Sequence, residues 1–160
     1  MREIKFRAWD NVENKFHYPG TNYDMVFLLS ENTIEAQRVF TEELCTPEGD
    51  RGYFGDYETL EHLVYQQYTG LTDKNGVEIY EGDILKNELH AVINLYSGEE
   101  KKKHTTKIFS VIWDESGCWS SHLIHETVER FKISKGVFRP EKYSEIIGNI
   151  HENPELLEDE

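Results

Sequence analysis

Between Arg2 and Trp9 apolar and polar side chains alternate, placing Ile4, Phe6 and Ala8 on one face and Lys5, Arg7 and Trp9 on the other. That period of two predicts a strand with one buried side. Asp10, Asn11 and Asn14 predict a turn after it, and Phe16-His17-Tyr18 a returning strand that Pro19-Gly20 stops. Met25 to Leu29 is a short apolar run broken at Ser30-Glu31-Asn32. In the next piece, Ile34, Ala36, Arg38 and Phe40 fit a strand, while Ala36, Val39, Phe40 and Glu43 can be drawn on one helical face; strand is the preferred reading. Thr46 to Asp56 then holds Pro47, Gly49, Gly52 and Gly55, a density of breakers that predicts a loop and a boundary between halves.

Thr59 to His62 reads as a brief helical turn and Leu63 to Tyr68 as a strand. From Tyr68 to Leu85 the chain packs Gly70, Gly76 and Gly82 between short apolar runs. Thr72 to Gly76 should reverse direction tightly, with Asn75-Gly76 suited to positive φ, and Gly82 permits a second sharp change. Five strand-like runs follow: Asp83–Lys86, Ala91–Tyr96, Thr105–Trp113, Cys118–Ile124 and Glu145–Ile150. Their spacing predicts a small barrel. Ser97 to His104, with Glu99, Glu100 and the Lys101-Lys102-Lys103 run, reads as a solvated hairpin tip, Thr127 to Phe131 as one helical turn, and Lys135-Gly136 as a reversal.

Composition places these segments in a globular chain of 160 residues, 38% hydrophobic and 12% aromatic, with an ionic surface indicated by 30% charged residues and a mean hydropathy of -0.67. Nothing approaches the run of about 18 apolar residues that spans a bilayer, and the N-terminus lacks a signal-peptide core, so a cytoplasmic address and no membrane partner are expected. Cys45 and Cys118 read as reduced thiols. A net charge of -14 repels phosphate backbones and favours basic protein partners. Glu155, Glu158, Asp159 and Glu160 make residues 155–160 an acidic, solvated tail.

Three separated motifs carry a resemblance. They are Ile4-Lys5-Phe6-Arg7-Ala8-Trp9-Asp10; Gln67 to Gly76 (Gln-Tyr-Thr-Gly-Leu-Thr-Asp-Lys-Asn-Gly) continuing through Ile79-Tyr80-Glu81-Gly82-Asp83-Ile84; and Ile147-Gly148-Asn149-Ile150-His151-Glu152-Asn153-Pro154-Glu155-Leu156. In this order the chain resembles the YopX family, small proteins encoded mainly by phages and prophages of Gram-positive bacteria. The resemblance implies an α+β, predominantly β fold: an N-terminal strand-rich or mixed region, 1–60, and a C-terminal SH3-like β-barrel, 61–154. It implies fold rather than chemistry. The family-motif positions Phe6, Arg7, Trp9, Tyr68, Gly70, Asp73, Asn75, Gly76, Tyr80, Gly82, Asp83, Gly148, Asn149, Asn153 and Pro154 are read as structural.

Candidate chemistry is sparse. Glycines six residues apart match neither a dinucleotide fingerprint nor a phosphate loop; Ile79, Tyr80 and Ile84 should pack, and Asp73 and Asp83 should accept from turn amides. His122, His125 and Glu126, with Cys118 nearby, invite a zinc reading. On the predicted strand, however, the two imidazoles point to opposite faces. Neither Cys118 nor Cys45 has a local base or orienting group. No catalytic residue, metal or cofactor is therefore expected. Arg7 and Trp9, an outward cation and aromatic at i, i+2, are the candidate interaction surface or a stack within the protein. The leading function is a non-enzymatic interaction module acting on a host or phage protein, with self-association through an edge strand or the N-terminal hairpin as an addition. Alternatives are an acidic DNA mimic that inhibits a nucleic-acid enzyme, nucleic-acid binding through the barrel, and an enzyme whose pocket joins His122 or His125 to a second carboxylate or thiol.

Overall fold

The computed structural model describes residues 3–21, 24–31, 33–45, 51–94, 100–126 and 144–158. Among them lie eleven strands: β1 (Phe6–Asp10), β2 (Lys15–His17), β3 (Met25–Leu29), β4 (Ile34–Cys45), β5 (Arg51–Thr59), β6 (Leu63–Thr72), β7 (Glu78–Tyr80), β8 (Asp83–Asn94), β9 (Glu100–Trp113), β10 (Trp119–Glu126) and β11 (Ser144–Asn149). One 3-10 turn, Pro154–Leu157, follows. The fold is predominantly β, and the described residues contain no α-helix. Between β5 and β6 only Leu60 to His62 remain, too short for a helical ring to close, and the expected helical turn there is a plain turn. The turn expected at Thr127–Phe131 and the reversal at Lys135-Gly136 lie outside the described residues.

The chain divides into two compact units, residues 6–66 and residues 1–5 with 67–160. The division falls within β6, whereas sequence punctuation placed it near Thr46–Asp56. That stretch is largely strand from Arg51 onward: β5 pairs antiparallel with β4 in unbroken register from Arg51↔Cys45 through Gly52↔Leu44 and Gly55↔Thr41 to Thr59↔Gln37. A complete ladder of backbone bonds outweighs the modest cost of glycine in extended chain. Residues 46–50 lie outside the described set.

In the unit 6–66, strand orders β2-β1-β6 and β3-β4-β5 hold. Met25↔Arg38, Phe27↔Ala36 and Leu29↔Ile34 fix the β3–β4 register and turn Met25, Phe27 and Ala36 to one face. There they join Ala8, Leu60, Leu63 and Tyr65 in the core, and the Phe27 and Tyr65 rings meet edge-on at 6.3 Å.

In the other unit the order is β10-β9-β8-β11, all antiparallel, and β6 pairs with β7. Two runs expected as separate strands merge into β8, which continues across Asn87↔Lys107 and Glu88↔Thr106. Lys101 to His104, expected as part of a hairpin tip, are ladder residues opposite Ile93 to His90. Ile79, Leu85 and Val111 form the core, with Leu71, Phe109, Trp119 and Ile146 against it. Asp83, Ile84 and Leu85 are buried in succession, so β8 is covered on both faces at its start.

Gly76 closes the turn between β6 and β7 with its N–H on the Asp73 carbonyl at 3.0 Å and φ of +82°. A Cβ there would meet nothing within 4 Å, so only the backbone conformation resists substitution. Gly76→Ala should cost about 1 kcal/mol in chemical denaturation. A neutral result would show that the turn relaxes to another conformation.

Candidate functional site

The β1–β2 hairpin builds a polar cluster that the sequence did not advertise. Register Asp10↔Lys15 and Ala8↔His17 puts Asp10 and His17 on the face that Ala8 buries. Asn14, at φ +52°, turns the connecting loop. Asp10 is 1% exposed and His17 2%. One Asp10 oxygen, Oδ1, accepts the amide N–H groups of Val12 and Glu13, both at 2.8 Å, and lies 3.2 Å from His62 Nε2. The other, Oδ2, lies 3.3 Å from His17 Nε2. Burial alone would raise the Asp10 carboxyl, but the amides of Glu13 and Val12, with His62 and His17, hold it down to about 2. Asp10 is thus an ionised carboxylate at neutral pH despite its burial.

Glu13 sits at the solvent side of the cluster, ion-paired with Lys15 and, at 3.0 Å, with Arg38. Those two cations lower its pKa, Lys15 being the larger influence. Among the described residues, a set of three donor groups whose ligand atoms all lie within 4.8 Å of one another is Asp10, Glu13 and His17. The sequence marks Asp10 as a turn former, His17 as a strand residue and His62 as the end of a helical turn, and it assigns Glu13 no role. The signal for Asp10, Glu13 and His17 is local, Asp-x-x-Glu-x-x-x-His, and becomes legible once the hairpin register pairs His17 with Ala8. His62 reaches Asp10 only through tertiary folding.

Arg7 and Trp9 are not outward. They are 7% and 5% exposed, a correction to the proposed interaction surface. β1 lies between β2 and β6, and its successive residues Arg7, Ala8, Trp9 and Asp10 are all buried, so both of its faces are covered. Arg7 donates through Nε and Nη2 to Gln66 Oε1 at 2.9 and 2.8 Å and stacks 4.2 Å above Phe16, whose ring also meets Trp9 edge-on at 5.0 Å.

His122 and His125 also fall differently. A register shift between Leu123 and His125 sets His122 opposite Ser110 and His125 opposite Ile108, which puts both imidazoles on one face rather than two. A groove of about 450 Å³ runs past Ser110, His122, Leu123, Ile124, Ile150 and Leu157. Its lining supplies an imidazole and a hydroxyl but neither a carboxylate nor a thiol. Cys118 is exposed in the preceding turn.

The remaining motif residues meet one another. Tyr68 and Tyr80 pair across β6 and β7 with rings 5.4 Å apart, Phe6 is half-buried, and Gly70, at φ +83°, lies in the bulge between Tyr68 and Thr72. Asp73 accepts from the amides of Asn75, Val77 and Ile146. Asp83 accepts the Tyr80 amide at 2.8 Å and the Asn149 side-chain N–H at 3.1 Å, while the Ile150 amide reaches the Gly82 carbonyl. Asn153 Oδ1 accepts the Asn149 amide, and Pro154 opens the 3-10 turn, so the acidic tail begins as ordered chain.

A second surface lies on the outer side of β3-β4-β5. The register that turns Met25, Phe27 and Ala36 inward turns Val26, Leu28, Val39 and Tyr57 outward, with Val39 directly opposite Tyr57. Val26 and Leu28 are each 43% exposed and Tyr57 65%. Glu35, Gln37 and Thr59 share this face.

No helix among the described residues is long and apolar enough to cross a membrane. Comparison with curated proteins gives no match. Among solved structures, the crystal structure of protein EF1440 from Enterococcus faecalis superposes with a TM-score of 0.51 at 27% identity, covering 99% of this chain and 100% of that one. The family model described as YopX protein matches residues 5–158, a span that takes in the β1–β2 cluster, the glycine-punctuated centre and the Asn149–Asn153 closure, and by that match the chain belongs to the YopX family.

Proposed function

We propose that the protein is a non-enzymatic interaction module of phage or prophage origin, acting in the bacterial cytoplasm on a host or phage protein through the outer face of β3-β4-β5. The observation that carries the reading is the apolar stripe of Val26, Leu28, Val39 and Tyr57 left outward by the sheet register. A Tyr beside aliphatic side chains on a short sheet is the composition of an interface centre. With a net charge of -14, the matching partner surface is apolar and bordered by Lys or Arg. The same proposal takes β8 to β11 as an SH3-like barrel: three consecutive antiparallel strands with β11 returning beside β8 support it.

A photo-crosslinking residue at position 57 tests the surface in a Gram-positive host, with Glu115, exposed in the turn before β10, as the control position. The expected result is a discrete adduct with another protein at position 57 and none at 115, abolished by Leu28→Asp. Adducts only with a second copy of this chain, or equal yields at both positions, would overturn it.

A further inference from the structure

We infer that Asp10, Glu13 and His17 form a binding site for a divalent transition-metal ion of the zinc or manganese class, with Asp10 held in place by His62. This goes beyond the interaction surface and stands on separate residues. The hairpin register brings the Asp10 carboxylate and the His17 imidazole together on a buried face, and the loop returns Glu13 so that one ligand atom from each of the three residues lies within 4.8 Å of the others.

The spacing is informative. His17 Nε2 and Asp10 Oδ2 are 3.3 Å apart, longer than the roughly 2.7–2.9 Å of a charge-assisted hydrogen bond. It equals the edge of about 3.3 Å between two ligands of a tetrahedral ion with metal–ligand distances of about 2.0–2.1 Å. The surroundings resemble the outer shell of a metal site. Asp10 Oδ1 is fixed by two amide N–H groups and by His62, leaving Oδ2 aimed at His17.

Access and donor type narrow the ligand. Asp10 and His17 form a buried floor, while Glu13 and His62 are each about one-third exposed at the rim. One imidazole and two carboxylates without a thiolate suit Zn²⁺, Mn²⁺ or Fe²⁺ better than copper(I). Three protein ligands leave a position for water or for a side chain from a bound partner. Glu13 must leave Lys15 and Arg38 to bind, and exposed ion pairs of that kind contribute at most about 1 kcal/mol.

The test uses the full chain without a polyhistidine tag, stripped by a chelator and titrated with Zn²⁺ by calorimetry, then with Co²⁺ to read visible d–d absorption. Uptake of one ion per chain is expected, with a rise in melting temperature. Glu13→Gln, in a surface loop where folding is retained, should weaken uptake about tenfold or more and remove the thermal shift. His122→Ala with His125→Ala should change neither. The inference is overturned if the chain takes up no stoichiometric Zn²⁺, if Glu13→Gln binds as tightly as the parent, or if uptake disappears with the His122 and His125 substitutions.

Discussion

Replacing Asp73 by alanine is expected to lower folding stability by about 4 kcal/mol, the largest single loss anticipated for a polar residue of this chain. Asp73 is 4% exposed and accepts the Asn75 amide at 2.8 Å, the Val77 amide at 2.9 Å and the Ile146 amide at 3.2 Å. The first two close the turn into β7. The third ties β11 to that turn, so alanine strands three amide donors in two elements where water cannot fully replace the carboxylate. Burial pushes the Asp73 carboxyl up, but the amides of Val77, Ile146 and Asn75 outweigh it, and its pKa is lowered from 3.8. A carboxyl with a folded pKa below its unfolded one contributes stability that is complete above 3.8 and is lost as the pH falls through the folded value. Denaturant unfolding followed by tryptophan fluorescence should show a parent protein that weakens in acid more steeply than Asp73→Asn. A loss under about 1 kcal/mol for the alanine variant would mean that the turn is held by its backbone bonds alone.

Gly148→Ala should cost about 2–3 kcal/mol through overpacking. A Cβ at this position would lie 2.5 Å from Asn153 Oδ1, 2.9 Å from its Cγ and 3.0 Å from Leu156 Cδ1. Asn153 is poorly placed to yield. Its Oδ1 accepts the Asn149 amide, its own amide donates to the Asn149 carbonyl at 2.8 Å, and its carbonyl accepts the Leu156 amide at 3.1 Å. Moving it loosens the 3-10 turn from the end of β11. Chemical denaturation gives the magnitude, and faster amide exchange at Asn153 and Leu156 gives the location. Unchanged exchange there, with unchanged stability, would refute the steric account.

The sequence was most legible where one side of an element decides its pattern. Alternation located β1, and the glycines located the β6–β7 reversal, because local geometry dictates both. Arg7 and Trp9 were misplaced because alternation identifies two faces but not whether the second is covered; β6 lies on one side of β1 in the sheet, and Gln66 and Phe16 cover the cation. Glycine density concealed β5, whose ladder with β4 is a long-range property. The His122 and His125 faces were inverted by a single-residue bulge, which no period-2 count contains. Of the Asp10 cluster, the hairpin spacing was readable in principle. His62 was not, since its approach to Asp10 depends on how distant strands pair.

The discontinuous unit has a consequence for synthesis on the ribosome. Residues 6–66 emerge as one uninterrupted stretch and hold all the parts of their own core, so that unit can consolidate while translation continues. The other unit includes Lys5, whose carbonyl accepts the Tyr68 amide, yet also needs Ile146 against its core and Asn149 on Asp83. Its earliest-made segment therefore waits for its latest, and the buried start of β8, which β9 can already flank on one side, gains β11 on the other only when Ser144–Asn149 has left the exit tunnel.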